Sequence, residues 1–344
     1  MLRKTMRISG GIEIARQWVR ENASHFEAFA GAFFSGSITT LAPDDELPPT
    51  SDIDLFIVLG LPTIPPKLGK LLFRGVLLEI SYIAASDLAD LRSVSANYHL
   101  AHCFARDNII ADPSGQLRSL HRAISATFDR AFAIRTRYED AIAKIERQLN
   151  AIDPSVSWPD QVLSWMFPTS VTTHVILVAA RRNPTVRLRY LAAKGVLHEI
   201  DCDDLYEQFL RLLGCESTLR DQVQRHLDAL AEVFDLAAKI DRQKFFFSSD
   251  ITAAARPISI DGSQRLIDAG HHCEAVFWII ATFARCMKIL ELQSDARFLA
   301  ATRELLGLHD PIDLPARSKK VLDFLPRLRS TAEIIAFTTK IAES

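Results

Sequence analysis

The sequence has no Cys-x-x-Cys pair, and its five cysteines, at positions 103, 202, 215, 273 and 286, are scattered and odd in number. That spacing argues against a zinc knuckle and a disulfide framework, and a reducing cytoplasm is the expected compartment. There is no excess of one charge sign: 40 Lys and Arg against 42 Asp and Glu give a formal net charge of -2, so nothing global advertises a polyanionic partner. No uninterrupted apolar run approaches the roughly 18 residues that would span a bilayer; residues 171–180 and 275–284 come nearest and carry polar side chains. The basic start MLRKTMRISGG has no apolar stretch behind it, as a secretory signal would require. There is no internal repeat and no low-complexity segment. The stretch Gly60-LPTIPPKL-Gly69-Lys70 places eight residues between its glycines, too many for a P-loop.

What is present divides in two. At 344 residues the chain has room for two domains at about 150 residues each. Up to residue 117 the pattern mixes helix and strand. An amphipathic helix is predicted over 11–30 and a short strand over 32–35, leading into Gly36-Ser37. IDLFIVL, 53–59, is a continuous β-favouring run ended by Gly60, as in a strand buried on both faces. Strands at 71–74 and 76–83 hinge at Gly75, residues 86–103 are helical, and DNIIA, 107–111, is a last strand before the turn Asp112-Pro-Ser-Gly115. From 118 to 344 only helical periodicity remains, with helices expected at 117–152, 159–181, 185–199, 203–214, 217–241, 263–293, 295–306 and 317–342. The irregular stretch 245–262 offers a subdivision.

The chemistry concentrates in the first part. Residues i and i+2 of a strand share a face, so Asp52 and Asp54 point together while Ile53 and Leu55 point into the core. Two like charges that close repel unless a cation lies between them, and paired carboxylates suit a hard, oxygen-seeking ion such as Mg²⁺. Glu79 interrupts the apolar strand VLLEISYI and supplies a third carboxylate if that strand lies beside 53–59. Three acids make room for two ions, the arrangement that clamps attacking and leaving oxygens in phosphoryl transfer. Gly36-Ser37, after a short strand, allows close backbone approach to phosphate oxygens.

Gly36-Ser37, Asp52-Ile-Asp54 with LFIVL behind it, and Glu79 on a later strand together resemble the nucleotidyltransferase superfamily that includes DNA polymerase beta and the antibiotic nucleotidyltransferases. The likeness spans residues 1–117 and includes the ADPSG turn at 111–115. Fourteen residues separate Ser37 from Asp52, more than the family's usual gap, and PDDELPPT is the insertion that accounts for the excess.

The resemblance implies an α+β nucleotidyltransferase domain, a small mixed sheet with flanking helices, followed by an all-α helical bundle on the acceptor side, as antibiotic-modifying members have. It implies an Mg²⁺-dependent enzyme that moves a nucleoside monophosphate from a nucleoside triphosphate, ATP foremost, to a hydroxyl of a small acceptor, with release of pyrophosphate. Asp52 and Asp54 would hold the triphosphate-bound metal, and all three acids the acceptor-side metal. Gly36 and Ser37 would bind the β- and γ-phosphates, Ser51 would stand near the metal, and Glu79 would help deprotonate the acceptor.

Arg181, Arg182, Arg187, Arg189 and Lys194 form a basic cluster around Asn183-Pro184. A solvated helix face is the ordinary reading of such a cluster; facing the cleft, the cluster, with Arg187, Arg189 and Lys194, would pair with the triphosphate or an acidic acceptor. His99 with His102 and His271-His272 lack the spacing or third ligand of a metal site. Two alternatives stand beside the small-acceptor enzyme: modification of a protein or RNA, as in toxin–antitoxin systems, and a non-catalytic nucleotide-binding module on the same fold. Near-neutral charge argues against nucleic acid as partner.

Overall fold

The computed structural model describes residues 6–184, 187–240, 245–292 and 294–338. It divides into two units, one formed by residues 1–137 with 183–187 and the other by 138–182 with 188–344. The expected boundary after 117 falls inside a helix, Gln116–Ser125, whose Leu117, Leu120 and Ile124 are buried in the core of the first unit.

The first unit is built on a five-stranded mixed sheet. Its elements run α1 (Ile8–Asn22), β1 (Phe29–Ser35), β2 (Ile53–Leu59), β3 (Gly69–Phe73), β4 (Val76–Ala84), α2 (Leu91–Ala96), α3 (Tyr98–Cys103), β5 (Ile109–Ala111) and α4 (Gln116–Ser125). The strand order is β3-β4-β2-β1-β5. β2 and β4 are parallel, and the other neighbours are antiparallel.

Side-chain alternation gives the sheet two apolar faces. Ala32, Phe34, Ile53, Leu55, Ile57, Leu78 and Ile80 pack with Ile8, Ala15, Trp18 and Val19 of α1. Phe33, Val58 and Ile83 face the other way, towards Val94, Ala101, Phe104 and α4. The polar residues of interest lie on that second face.

The insertion PDDELPPT is pinned down at its start. The N–H groups of Ile8 and Ser9, which have no partner inside α1, donate to the carbonyls of Asp45 (2.9 Å) and Pro43 (2.9 Å). Leu47 N–H donates to Met6 O at 2.8 Å, so the extra residues cap the first helix.

The second unit is helical. After α5 (Ala131–Asn150), which begins in the first unit, it contains α6 (Trp158–Ala179), α7 (Arg189–Glu199), α8 (Asp203–Leu213), α9 (Arg220–Ala237), α10 (Gly262–Asp268), α11 (His272–Ile289), α12 (Ala296–Leu306) and α13 (Asp313–Thr338). α6 packs against α7, α8, α11 and α13, while α11 also packs against α9, α10 and α12.

Among the described residues, α6 alone is long and apolar enough to cross a membrane, yet it is mostly buried within the protein. Four of its buried hydroxyls are accommodated locally. Thr169, Ser170, Thr172 and Thr173 donate to carbonyls one turn back at 2.7–2.8 Å, which leaves no unmet hydroxyl against the core.

Two expected long helices are broken. The stretch 117–152 is two helices, and the buried Arg137 guanidinium grips the link between them by donating to Phe128 O at 2.6 Å. The stretch 263–293 breaks at Gly270, whose φ of +82° closes α10 with His271 N–H donating to Leu266 O. The expected helical start at 185 falls on residues outside those described, and α7 begins at Arg189.

Candidate functional site

One row of residues crosses the sheet. Ser35 on β1 pairs with Asp54 on β2, Asp54 with Glu79 on β4, and Glu79 with Lys70 on β3. Registered partners share a face, so the four side chains line up on the side opposite α1. Asp52, just before β2, joins them by the i, i+2 rule.

One ligand atom from each of Asp52, Asp54 and Glu79 lies within 4.8 Å of the others, and all three residues are half-buried. At an effective dielectric of about 20, each pair of charges at that distance repels by about 3 kcal/mol. Ionised together, the three acids therefore require positive charge.

Lysines supply part of it. Lys70 Nζ lies 2.6 Å from Asp52 Oδ2 and also contacts Glu79 Oε2, while Lys67 Nζ contacts Glu79 Oε1. The ionisation of the two inner acids diverges accordingly. Burial raises the Asp54 carboxyl well above the ordinary range, and the charges of Asp52 and Glu79 raise it further. Burial also pushes on Glu79, but the attraction of Lys70 and Lys67 outweighs it and lowers Glu79 to about 2. A carboxylate held so low is a weak proton acceptor at neutral pH, which counts against Glu79 as a general base.

Gly36 closes the other side. Its φ is +67°, and a Cβ there would stand 1.9 Å from Asp54 Oδ2. Only glycine lets the turn Gly36–Thr39 run this close to the carboxylate. Asn183, carried by the 183–187 segment of the same unit, donates from Nδ2 to Gly36 O at 2.8 Å and to Thr39 Oγ1 at 3.2 Å. Thr39 Oγ1 in turn donates to Gly36 O at 2.9 Å. The turn is thus held by a residue 147 positions away in the chain.

A cavity of about 210 Å³ opens beside it, between Ser35, Gly36, Asp54 and Phe56 of the sheet side and His99, Leu100 and Cys103 of α3. Cys103 is inert there. Its buried thiol is pushed up to about 11 and donates to Ser35 Oγ at 3.4 Å.

Of the residues singled out from sequence, Asp52, Asp54, Glu79 and Gly36 come together, with Ser37 in the Gly36 turn and Ser51 adjoining Asp52. Arg187 lies in the 183–187 segment of the first unit, whereas Arg189 and Lys194 belong to the second. There Arg189 donates to Ser170 Oγ at 3.2 Å and Lys194 lies 3.7 Å from Glu274 Oε1.

Sequence reasoning missed Lys67, Lys70 and Asn183. Lys70 had a usable signal. A hairpin turning at Arg74-Gly75 pairs Phe73 with Val76 and, counting outward, Lys70 with Glu79. Asn183 had none, because nothing local ties a loop between helices to a turn so far back.

No family model and no curated protein compared with the chain matches it.

Proposed function

We propose that the chain is a divalent-cation-dependent nucleotidyltransferase: an α+β transferase domain of the kind that the sequence resembles, with an all-helical second domain. It moves a nucleoside monophosphate, with ATP as the favoured donor, to a hydroxyl of a small-molecule acceptor and releases pyrophosphate. The observation that supports this best is the convergence of Asp52, Asp54 and Glu79 within 4.8 Å beside a glycine turn that no side chain could occupy.

The donor set fits the cation. Three carboxylates offer hard oxygen ligands, and their mutual repulsion is relieved by a bound dication. When bound, Mg²⁺ supplies neutralisation of charge on the triphosphate and on the departing pyrophosphate. The chain's own groups do the rest. Asp52, Asp54 and Glu79 hold the cation. Gly36, free of a side chain, and Ser37, through its amide and hydroxyl, bind phosphate oxygens. Asn183 keeps that turn in place, so the reacting groups meet in a fixed orientation.

The test is incubation with each labelled nucleoside triphosphate, Mg²⁺ and a panel of hydroxyl-bearing metabolites and antibiotics. Wild type transfers label and releases pyrophosphate, and Asp54→Asn lowers transfer on the order of a thousandfold. Equal transfer by the two proteins would overturn the assignment.

A second reading, a nucleotide-binding module without transfer, is favoured by the two lysines that already neutralise much of the acid cluster. Saturable binding of Mg²⁺ and ATP with no pyrophosphate across the panel would select it.

A further inference from the structure

Lys70 reaches the acid cluster because of hairpin register. β3 and β4 are joined by Arg74-Gly75, and their antiparallel pairing sets Lys70 directly across from Glu79. Cross-strand partners hold their Cβ atoms about 5 Å apart on one face, so the lysine side chain enters the row. Lysines ordinarily keep the ammonium in water and bury only the stem. Here only 7% of the side chain is exposed, and the ammonium is enclosed between Asp52 and Glu79. Lys67 contacts the remaining Glu79 oxygen from a side chain that is 20% exposed.

Charge decides what else the cluster will take. With all three acids ionised to take a cation, three carboxylates and two ammonium groups leave one negative charge, which a single dication more than balances. Two dications would bring the cluster to three positive charges, with Lys70 wedged between two of the ligands the second ion would need. We infer that Lys70 is a fixed cation standing in for a second metal ion, so that the cluster binds one dication. Lys70 is then a positioning residue. It holds Asp52 and Glu79 in register in the absence of metal and keeps their oxygens from a second ion. This rests on the cation-binding reading above.

The test is a titration of the full chain with Mn²⁺ alone, with bound ions per chain counted by electron paramagnetic resonance. Wild type binds one ion, and Lys70→Met binds two, because removing the ammonium frees the Asp52 and Glu79 oxygens that it contacts for a second ion. Lys67→Met, which leaves the Asp52–Lys70–Glu79 bridge intact, stays at one. Lys70→Gln, which keeps a hydrogen-bond donor without the charge, is measured alongside in case the methionine variant does not fold, and it also binds two. Thermal melts in chelator and in Mn²⁺ check each fold, and the lysine variants regain in Mn²⁺ the stability they lose in chelator.

Two ions on wild type overturn the inference while leaving the cation site standing. The same holds if the Lys70 variants and wild type share a stoichiometry of one. No ion on wild type or on any folded variant removes the cation reading and this inference with it.

Discussion

The two units treat buried charge differently. In the helical unit buried charges find oppositely charged or hydrogen-bonding side chains within the fold. Arg285 donates to Asp250 at 3.0 Å with both side chains nearly enclosed, Lys288 contacts Asp160, and Glu274 accepts from Tyr206 Oη at 2.6 Å. In the sheet unit three acids meet two lysines, so that with all three ionised one negative charge is left over, and burial with the charges of Asp52 and Glu79 raises the Asp54 carboxyl well above the ordinary range. A pair matched one to one is complete without a ligand and restrains the fold. A cluster with charge left over is at its lowest energy only when something binds. The contrast therefore separates a structural use of buried charge from a functional one, and it is open to attack from either side.

The largest effect belongs to the matched pair. Asp250→Ala leaves the Arg285 guanidinium uncompensated, and breaking an enclosed pair costs about 3–5 kcal/mol. Chemical denaturation will show that loss, whereas Mn²⁺ affinity of the folded protein stays at the wild-type value. A change in ion affinity would break the contrast. Next comes Gly36→Ala. The new Cβ overlaps Asp54 Oδ2, at 1.9 Å, and sits on a backbone at φ +67°. The carboxylate must swing away, and a displacement near 1 Å at a reacting centre is worth about a hundredfold in rate. Nucleotidyl transfer, with denaturation as the control, measures it; unchanged transfer would take the glycine turn out of the site.

How far the sequence foretold this depends on how local each interaction is. The strand 53–59 matches its β-favouring run residue for residue, and Asp52, Asp54 and Glu79 converge as expected because parallel pairing sets Asp54 beside Glu79. Those inferences needed only alternation within a strand and adjacency of two strands. Helix ends were less legible. The periodicity of 263–293 runs through Gly270, and apolar spacing does not reveal that a left-handed residue interrupts it. The insertion at 43–50 was legible as extra length but not as a cap on α1, since its partners lie more than 30 residues upstream. Asn183 lies beyond the reach of any local rule.

The smallest effect is in pH, and its sign tests whether the cluster is strained when no cation is bound. Asp54 in the folded protein keeps its proton to a higher pH than the ordinary 3.8 of an unfolded aspartate. Its contribution to stability is full below about 3.8 and is lost as pH rises through the raised value. Glu79 runs the other way: its folded value of about 2 lies below the ordinary 4.5, so its contribution is present above 4.5 and lost as pH falls towards 2. In chelator, wild type should therefore be most stable in the mildly acidic range and decline above it as Asp54 ionises, with a slope of at most about 1.4 kcal/mol per pH unit, the limit for release of one proton. Asp54→Asn abolishes that upper decline, and so does Mn²⁺ on wild type, because the ion favours the ionised acid. Melting temperature against pH, with and without ion, reads all three curves. A wild-type stability that keeps rising through neutral pH in chelator would mean that the lysines already satisfy the cluster, and its charge would then resemble the matched pairs of the helical unit.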